Sequence, residues 1–206
     1  MATIRRLRST PRLPAEERRK LILLAAINVF AHSGYRGATT RAIAREAGVA
    51  EALLYRYFTN KQELFGQAVE HTSSRIVASV QGIFERNTDN PILAFTELLQ
   101  FSRTMLLKNA SMARMLFIVS AELDDPEVRN IYLPWQNRAL ETIENAIRRW
   151  QLSGALRPTI PPRATAWLVL GSFQALALMK HSGSLKDVEA SEAFALVQSI
   201  LQPDAA

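Results

Sequence analysis

No cysteine occurs among the 206 residues of this chain. Disulfides and thiolate metal sites are therefore excluded, and the core must be built from packed side chains alone. A chain of this length can do so, because it buries roughly 70% of its unfolded surface. Histidine is almost as scarce. His32, His71 and His181 are far apart and have no carboxylates at ligand spacing, so no metal site is read from them. No glycine-rich phosphate loop or nucleophile motif is present, so neither an enzyme nor a cofactor is expected. Long apolar runs are missing too. The longest, residues 164–179, falls short of the ~20 needed to span a bilayer and is interrupted by Ser172 and Gln174. A buried or interface helix is expected there, and no membrane partner. The basic residues 1–12 have no apolar run behind their charges, so no secretory signal is read. The expected location is the cytoplasm.

Charge is present, and it is unevenly placed. The formal net charge is +6. Residues 1–65 hold twelve Lys and Arg against five Glu, a surplus of +7, which leaves −1 for the remainder. A basic third beside a near-neutral remainder suggests one part made for a polyanion and another made for something else. The alternative for the basic third is a solubilising tail.

The rest of the chain reads as helix. Ile22, Ala25, Ala26, Val29 and Phe30 repeat at helical spacing, with Gly34 as a stop. No sustained strand alternation or hairpin signal is found. Asn60 can cap a helix over 61–86. Pro91 suits a first helical position, with a helix to about 108. Ser111 can cap the next, through Glu122. Asp125-Pro126 starts another, which Pro134 should kink or split; it resumes through Trp150 and stops near Ser153-Gly154. Helices at 163–181 and 187–202 follow a proline loop. The expected fold is all-α, with about nine or ten helices.

Residues 39–61, TTRAIAREAGVAEALLYRYFTNK, carry the strongest signal. Thr39 or Thr40 offers a capping hydroxyl. Ile43, Ala44 and Ala47 line an inner face, and Ala44 is small enough for a second helix to cross closely. Gly48 sits where a helix must end in a left-handed conformation. Leu54 and Phe58 supply the inner face of the second helix. Together these make a helix-turn-helix over 40–57, whose second helix is free to enter a major groove.

Phe30, Gly34-Tyr35, Thr39-Thr40, Ile43-Ala44, Ala47-Gly48-Val49, Leu54-Tyr55, Tyr57-Phe58, Lys61 and Leu64 resemble the pattern of the TetR family of bacterial transcriptional regulators over residues 22–65. The resemblance implies a basic arm at 1–14, a three-helix DNA-binding domain at 15–60 and a larger ligand-binding and dimerisation domain at 61–206. It implies that Thr40, Tyr57 and Lys61 meet phosphate, with Tyr55 also on the groove side, and that Arg41, Glu51, Ala52 and Leu53 meet base edges. The chemistry agrees in part: arginine can pair with guanine O6 and N7, and a carboxylate can accept from cytosine N4. Ala50 departs from the family's usual serine cap, and Leu53 from its small polar residue. Glu51 is equally suited to the helix dipole at an N-terminus. The arm can serve as a minor-groove contact or as a solvated tail.

The resemblance further implies a small-molecule effector among the middle helices and a homodimer through the last two. Phe101, Met105, Met115 and Trp135 are the expected pocket walls, being bulky and adaptable, although such stripes also make plain core. Trp167, Leu168, Gly171, Ala175, Leu178, Phe194, Val197 and Leu201 are the expected dimer face, with packing inside one subunit as the alternative. His71 and Arg75 share a helix face and read as solvated. The expected function is a sequence-specific regulator on a near-palindromic operator of double-stranded DNA, a repressor released by an apolar or amphipathic ligand. An activator and a non-switching architectural DNA binder remain open.

Overall fold

The computed structural model describes residues 14–108, 110–183 and 192. Among them are eight α-helices and no strand: α1 Ala15–Gly37, α2 Thr40–Glu46, α3 Glu51–Leu54, α4 Lys61–Arg86, α5 Pro91–Lys108, α6 Ala110–Ala121, α7 Pro126–Leu152 and α8 Pro162–Ser182. The arm expected at 1–14 and the helix expected at 187–202 lie outside the described residues, apart from Pro14 and Glu192.

Local chemistry explains most boundaries. Thr39, the first of the two candidate threonines, caps α2 by accepting from the Ala42 amide at 3.1 Å. Asn60 caps α4 by accepting from the Glu63 amide at 2.8 Å. The Glu63 carboxylate reaches back to the Thr59 amide and hydroxyl, which holds its pKa below the usual range. Asp125 accepts from the Glu127 amide ahead of Pro126, the first residue of α7. Gly154, at φ +78°, ends α7 in the left-handed region that favours glycine.

Two local expectations are corrected. α6 begins at Ala110, so Ser111 lies inside the helix and does not cap it. Pro134 does not split α7, which runs through it as one helix. Pro134 and Asn130 are both exposed. The carbonyl that loses its intrahelical donor to Pro134 is that of Asn130, an exposed residue. Tyr132 and Trp135, both buried, anchor the helix on its other side.

Two buried clusters form the core. One gathers α1, α2 and α3 around Phe30, Ile43, Leu54 and Phe58. It continues across residue 60 into Leu64, Phe65 and Val69 of α4, Met115 and Val119 of α6, and Val128 to Trp135 of α7. The other packs α4, α5, α7 and α8 around Trp150, Phe84 and Phe95. The Trp150 indole donates to the Asn87 carbonyl at 2.9 Å, so the end of α7 is tied to the α4–α5 turn. The helix-turn-helix thus shares its core with the start of the larger part.

Candidate nucleic-acid interface and effector cavity

α2 and α3 form the turn read from the sequence. Gly48 has φ +64° with open space where a side chain would sit, and the Val49 amide returns to the Ala44 carbonyl at 2.9 Å. Ile43 and Ala44 are buried, with Leu54 and Phe58 facing them. α3 is a single turn with no side-chain cap at Ala50, and ordered turns carry the chain on to Phe58.

Four of the expected DNA-contacting residues form one polar group across the two helices. The Thr40 hydroxyl donates to Glu51 at 2.6 Å, the Tyr55 hydroxyl lies 3.4 Å from Thr40 Oγ1, and Arg41 Nε lies 3.7 Å from the Glu51 carboxylate. Arg41 and Tyr55 are exposed, as is Ala52; Leu53 is half-buried. Tyr57 is half-buried against the core. Arg56, which follows Tyr55, is exposed as well.

Lys61 sits differently. Its ammonium donates to the carbonyls of Tyr35 at 2.9 Å and Ala38 at 3.2 Å, and lies 4.5 Å from the centre of the Tyr35 ring. Two of its three donors therefore close the end of α1.

The same corner holds a junction that the sequence reading did not identify as such. Gly34 breaks α1 with φ +69° and ψ −178°, a conformation open almost only to glycine. The break turns the Tyr35 and Arg36 amides toward Glu122, which accepts from them at 2.6 and 3.4 Å. A Cβ at residue 34 would lie 2.5 Å from the Glu122 carboxylate. The Tyr35 hydroxyl donates to Glu127 at 2.8 Å. Burial first, then this bond, pushes its pKa up to about 12. Arg36 pairs with Asp125 at 3.3 Å and Asp124 at 3.6 Å. The α6–α7 turn is thereby clamped to the end of α1, beside the most extensive helix packing among the described elements, α1 on α6.

Between the two buried clusters lies a void of about 70 Å³. All five helices after the reading head reach it: Val77 and Val80 of α4, Met105 of α5, Phe117 of α6, Tyr132 and Trp135 of α7, Leu170, Phe173 and Gln174 of α8. No described lining residue is charged. The Gln174 amide donates to the Tyr132 hydroxyl at 3.0 Å, and burial holds that phenol neutral, its pKa pushed up to about 12. Trp135 Nε1 is buried without a hydrogen-bond partner. Of the four expected walls, Met105 and Trp135 line the void. Met115, fully buried, faces Thr72 in the first cluster, and Phe101 packs at the edge of the second, on an open groove between α4 and α5. Gln174, seen in the sequence only as an interruption, is a lining residue because its helix position turns it inward.

On α8, Trp167, Leu168, Ala175 and Leu178 are exposed. Gly171 lies between them with open space over its Cα. Phe194, Val197 and Leu201 lie outside the described residues. No helix among the described residues is long and apolar enough to cross a membrane.

Residues 22–68 match the sequence model of the bacterial regulatory proteins of the tetR family. The chain is 38% identical over 79 residues to the transcriptional activator FasR of Mycolicibacterium smegmatis, a match covering 38% of this chain and only 36% of that protein's length. It is 28% identical over 163 residues to the HTH-type transcriptional regulator YhgD of Bacillus subtilis, covering 78% of this chain and 82% of that one. Its fold matches the Bacillus subtilis regulator FadR, solved in complex with stearoyl-CoA, at a TM-score of 0.70 and 17% identity over 91% of this chain and 99% of the other. The turn at Gly48, the exposed polar group on α2 and α3 and the family match over both helices agree: residues 22–68 form a DNA-binding domain of the tetR-family type, and the helical part behind it has the fold of solved TetR-family regulators.

Proposed function

We propose that the protein is a dimeric repressor that binds a near-palindromic operator and is released from it by a small apolar or amphipathic molecule. The observation that carries the reading is the uncharged void at the meeting of α4 to α8, joined to the reading head by two rigid connections. One is α4, which starts directly after the helix-turn-helix and borders the void with Val77 and Val80. The other is α6, which borders it with Phe117 and ends in the Glu122 clamp on α1. A ligand changes operator affinity only if it prefers one arrangement of the heads over another. The void is smaller than the roughly 300–1,000 Å³ of ligand pockets, so an occupant must spread its walls. Spreading moves α4 and α6, and both move the heads.

Dimerisation is supported by the apolar stripe on α8. Residues 167, 171, 175 and 178 fall on one helix face, and Gly171 lets another backbone approach. Two heads should then meet half-sites about one turn apart, ~34–36 Å, on DNA in the cytoplasm. Within each head, Arg41 and Glu51 act as a pair at base edges, Thr40 and Tyr55 set register on phosphate, and Ala52 and Leu53 offer apolar contact. Lys61 keeps one donor for phosphate while fixing the end of α1. The likeness to FasR, named as an activator, supports activation as the second reading of the outcome at the promoter.

The test is selection from random duplexes, followed by titration of the selected site. A palindrome with half-sites one turn apart is expected, with affinity falling steeply as salt rises. Arg41→Ala should relax preference at one position by about 1–3 kcal/mol. Equal losses on matched and mismatched sites would remove Arg41 from base reading. Absence of any enriched palindrome would remove the dimeric docking.

A further inference from the structure

We infer that the void selects an uncharged ligand: an apolar chain with one carbonyl-type acceptor, as in a ketone, ester or amide, and not a carboxylate. This rests on reading the void as the effector site, and adds which chemistry that site takes.

Trp135 is 4% exposed and lines the void. Its indole N–H has no acceptor among the described residues. Buried polar groups in native proteins are nearly always paired, and an indole nitrogen can only donate. An acceptor is therefore missing, and the bound molecule is the natural source of one. Tyr132 points to the same need. Its ring centre is 5.1 Å from that of Trp135, and its oxygen accepts from Gln174, which leaves its own proton to donate. Two neighbouring donors on an otherwise apolar wall suit one carbonyl oxygen, which has two lone pairs.

A carboxylate would offer acceptors too, but it brings a charge. None of the described residues lining the void is cationic. Neither the phenol nor the indole becomes a cation, and the phenol stays neutral to about pH 12. Burying an anion without a counter-charge is far costlier than burying a hydrogen-bonded carbonyl. The carboxylate is thus rejected by what the site lacks, as well as by what it contains. Met105 and Phe117 supply the adaptable part of the wall, since an unbranched thioether side chain repacks readily, and the chain of the ligand lies against them.

The experiment titrates the full-length protein at pH 7 with 2-heptanone, heptanoate and n-heptane, followed by calorimetry and by operator binding. The ketone is expected to bind at least roughly tenfold more tightly than either of the others, the value of one well-made neutral hydrogen bond. In Trp135→Phe the ratio of ketone to heptane affinity should narrow, since one of the two donors is lost. Tyr132→Phe reads the same donor pair should the tryptophan variant not fold, and is expected to narrow the gap in the same way. Tightest binding by heptanoate, or equal binding of ketone and alkane to the unaltered protein, overturns this inference and leaves the effector site standing. Failure of all three to bind a protein that still holds its operator overturns the effector reading, and this inference with it.

Discussion

At the reading head, Phe30, Tyr35 and Phe65 pack ring against ring, Lys61 closes the carbonyls at the end of α1, and Glu122 takes up two amides freed by the break at Gly34. Around α7 and α8 the packing is equally apolar but incomplete, with a void and an indole donor left unpaired. In the first region the end of α1 is closed by paired groups, while in the second the Trp135 donor is unmet. In the proposed ligand-released regulator the head keeps its geometry while its position changes, and the part behind it has somewhere to yield. The boundary is mechanical because the first buried cluster does not stop at residue 60 but includes Met115, Tyr132 and Trp135.

That contrast can be broken from the sensing side first. Trp150 is fully buried between Phe84 and Phe95, with its indole nitrogen satisfied. Trp150→Ala should cost about 3–5 kcal/mol of stability, measured by chemical denaturation. A loss below about 1 kcal/mol would mean that the void-bearing half contributes little to the global transition.

Breaking the junction should cost less. Gly34→Ala forces a side chain into a glycine-only conformation, for about 1–3 kcal/mol, and drives its Cβ against Glu122. The same substitution in a Glu122→Ala background should cost less than in the unaltered chain, because the clash is gone and only the backbone strain remains. Additive costs would show that Glu122 is not what confines residue 34. Operator titrations on the same proteins show whether the clamp carries the ligand's effect: Glu122→Ala should keep binding DNA and respond less to an effector.

The smallest effect is a pH dependence. His71 of α4 has its pKa held below 6.5, first by burial and then by Arg75 and Lys20. The fold therefore favours neutral imidazole. It loses stability relative to the unfolded chain as pH falls through about 6.5, and gains nothing from His71 above it. Denaturation midpoints of the unaltered chain and of His71→Gln, taken at pH 7.5 and 5.5, should converge at the higher pH. At the lower pH the variant should be the less destabilised. Identical losses would show that His71 does not carry this dependence.

Much of this is legible in the sequence. The caps at Thr39, Asn60 and Asp125, the glycine stops at Gly48 and Gly154, and the inward faces of α1 to α3 all depend on interactions within a few residues. Local spacing therefore specifies them, and the helix-turn-helix with its exposed Arg41 and Tyr55 follows. Pro134 does not split α7, because a proline's cost depends on whether the orphaned carbonyl can reach water, which is decided by the face that Tyr132 and Trp135 bury. Met115 and Phe101 are as bulky and adaptable as Met105, yet only rotation of their helices against neighbours decides which side chains meet the void. The Glu122 clamp joins residues about 87 apart in sequence, and the Gln174–Tyr132 pair joins residues 42 apart. No periodicity encodes such pairs. By itself the sequence determined an all-helical chain with a DNA-reading head, because caps, turns and amphipathic faces are local. The tertiary structure alone decided where the cavity lies, which donor in it is unmet, and how it is tied to the head, because these arise where distant helices meet.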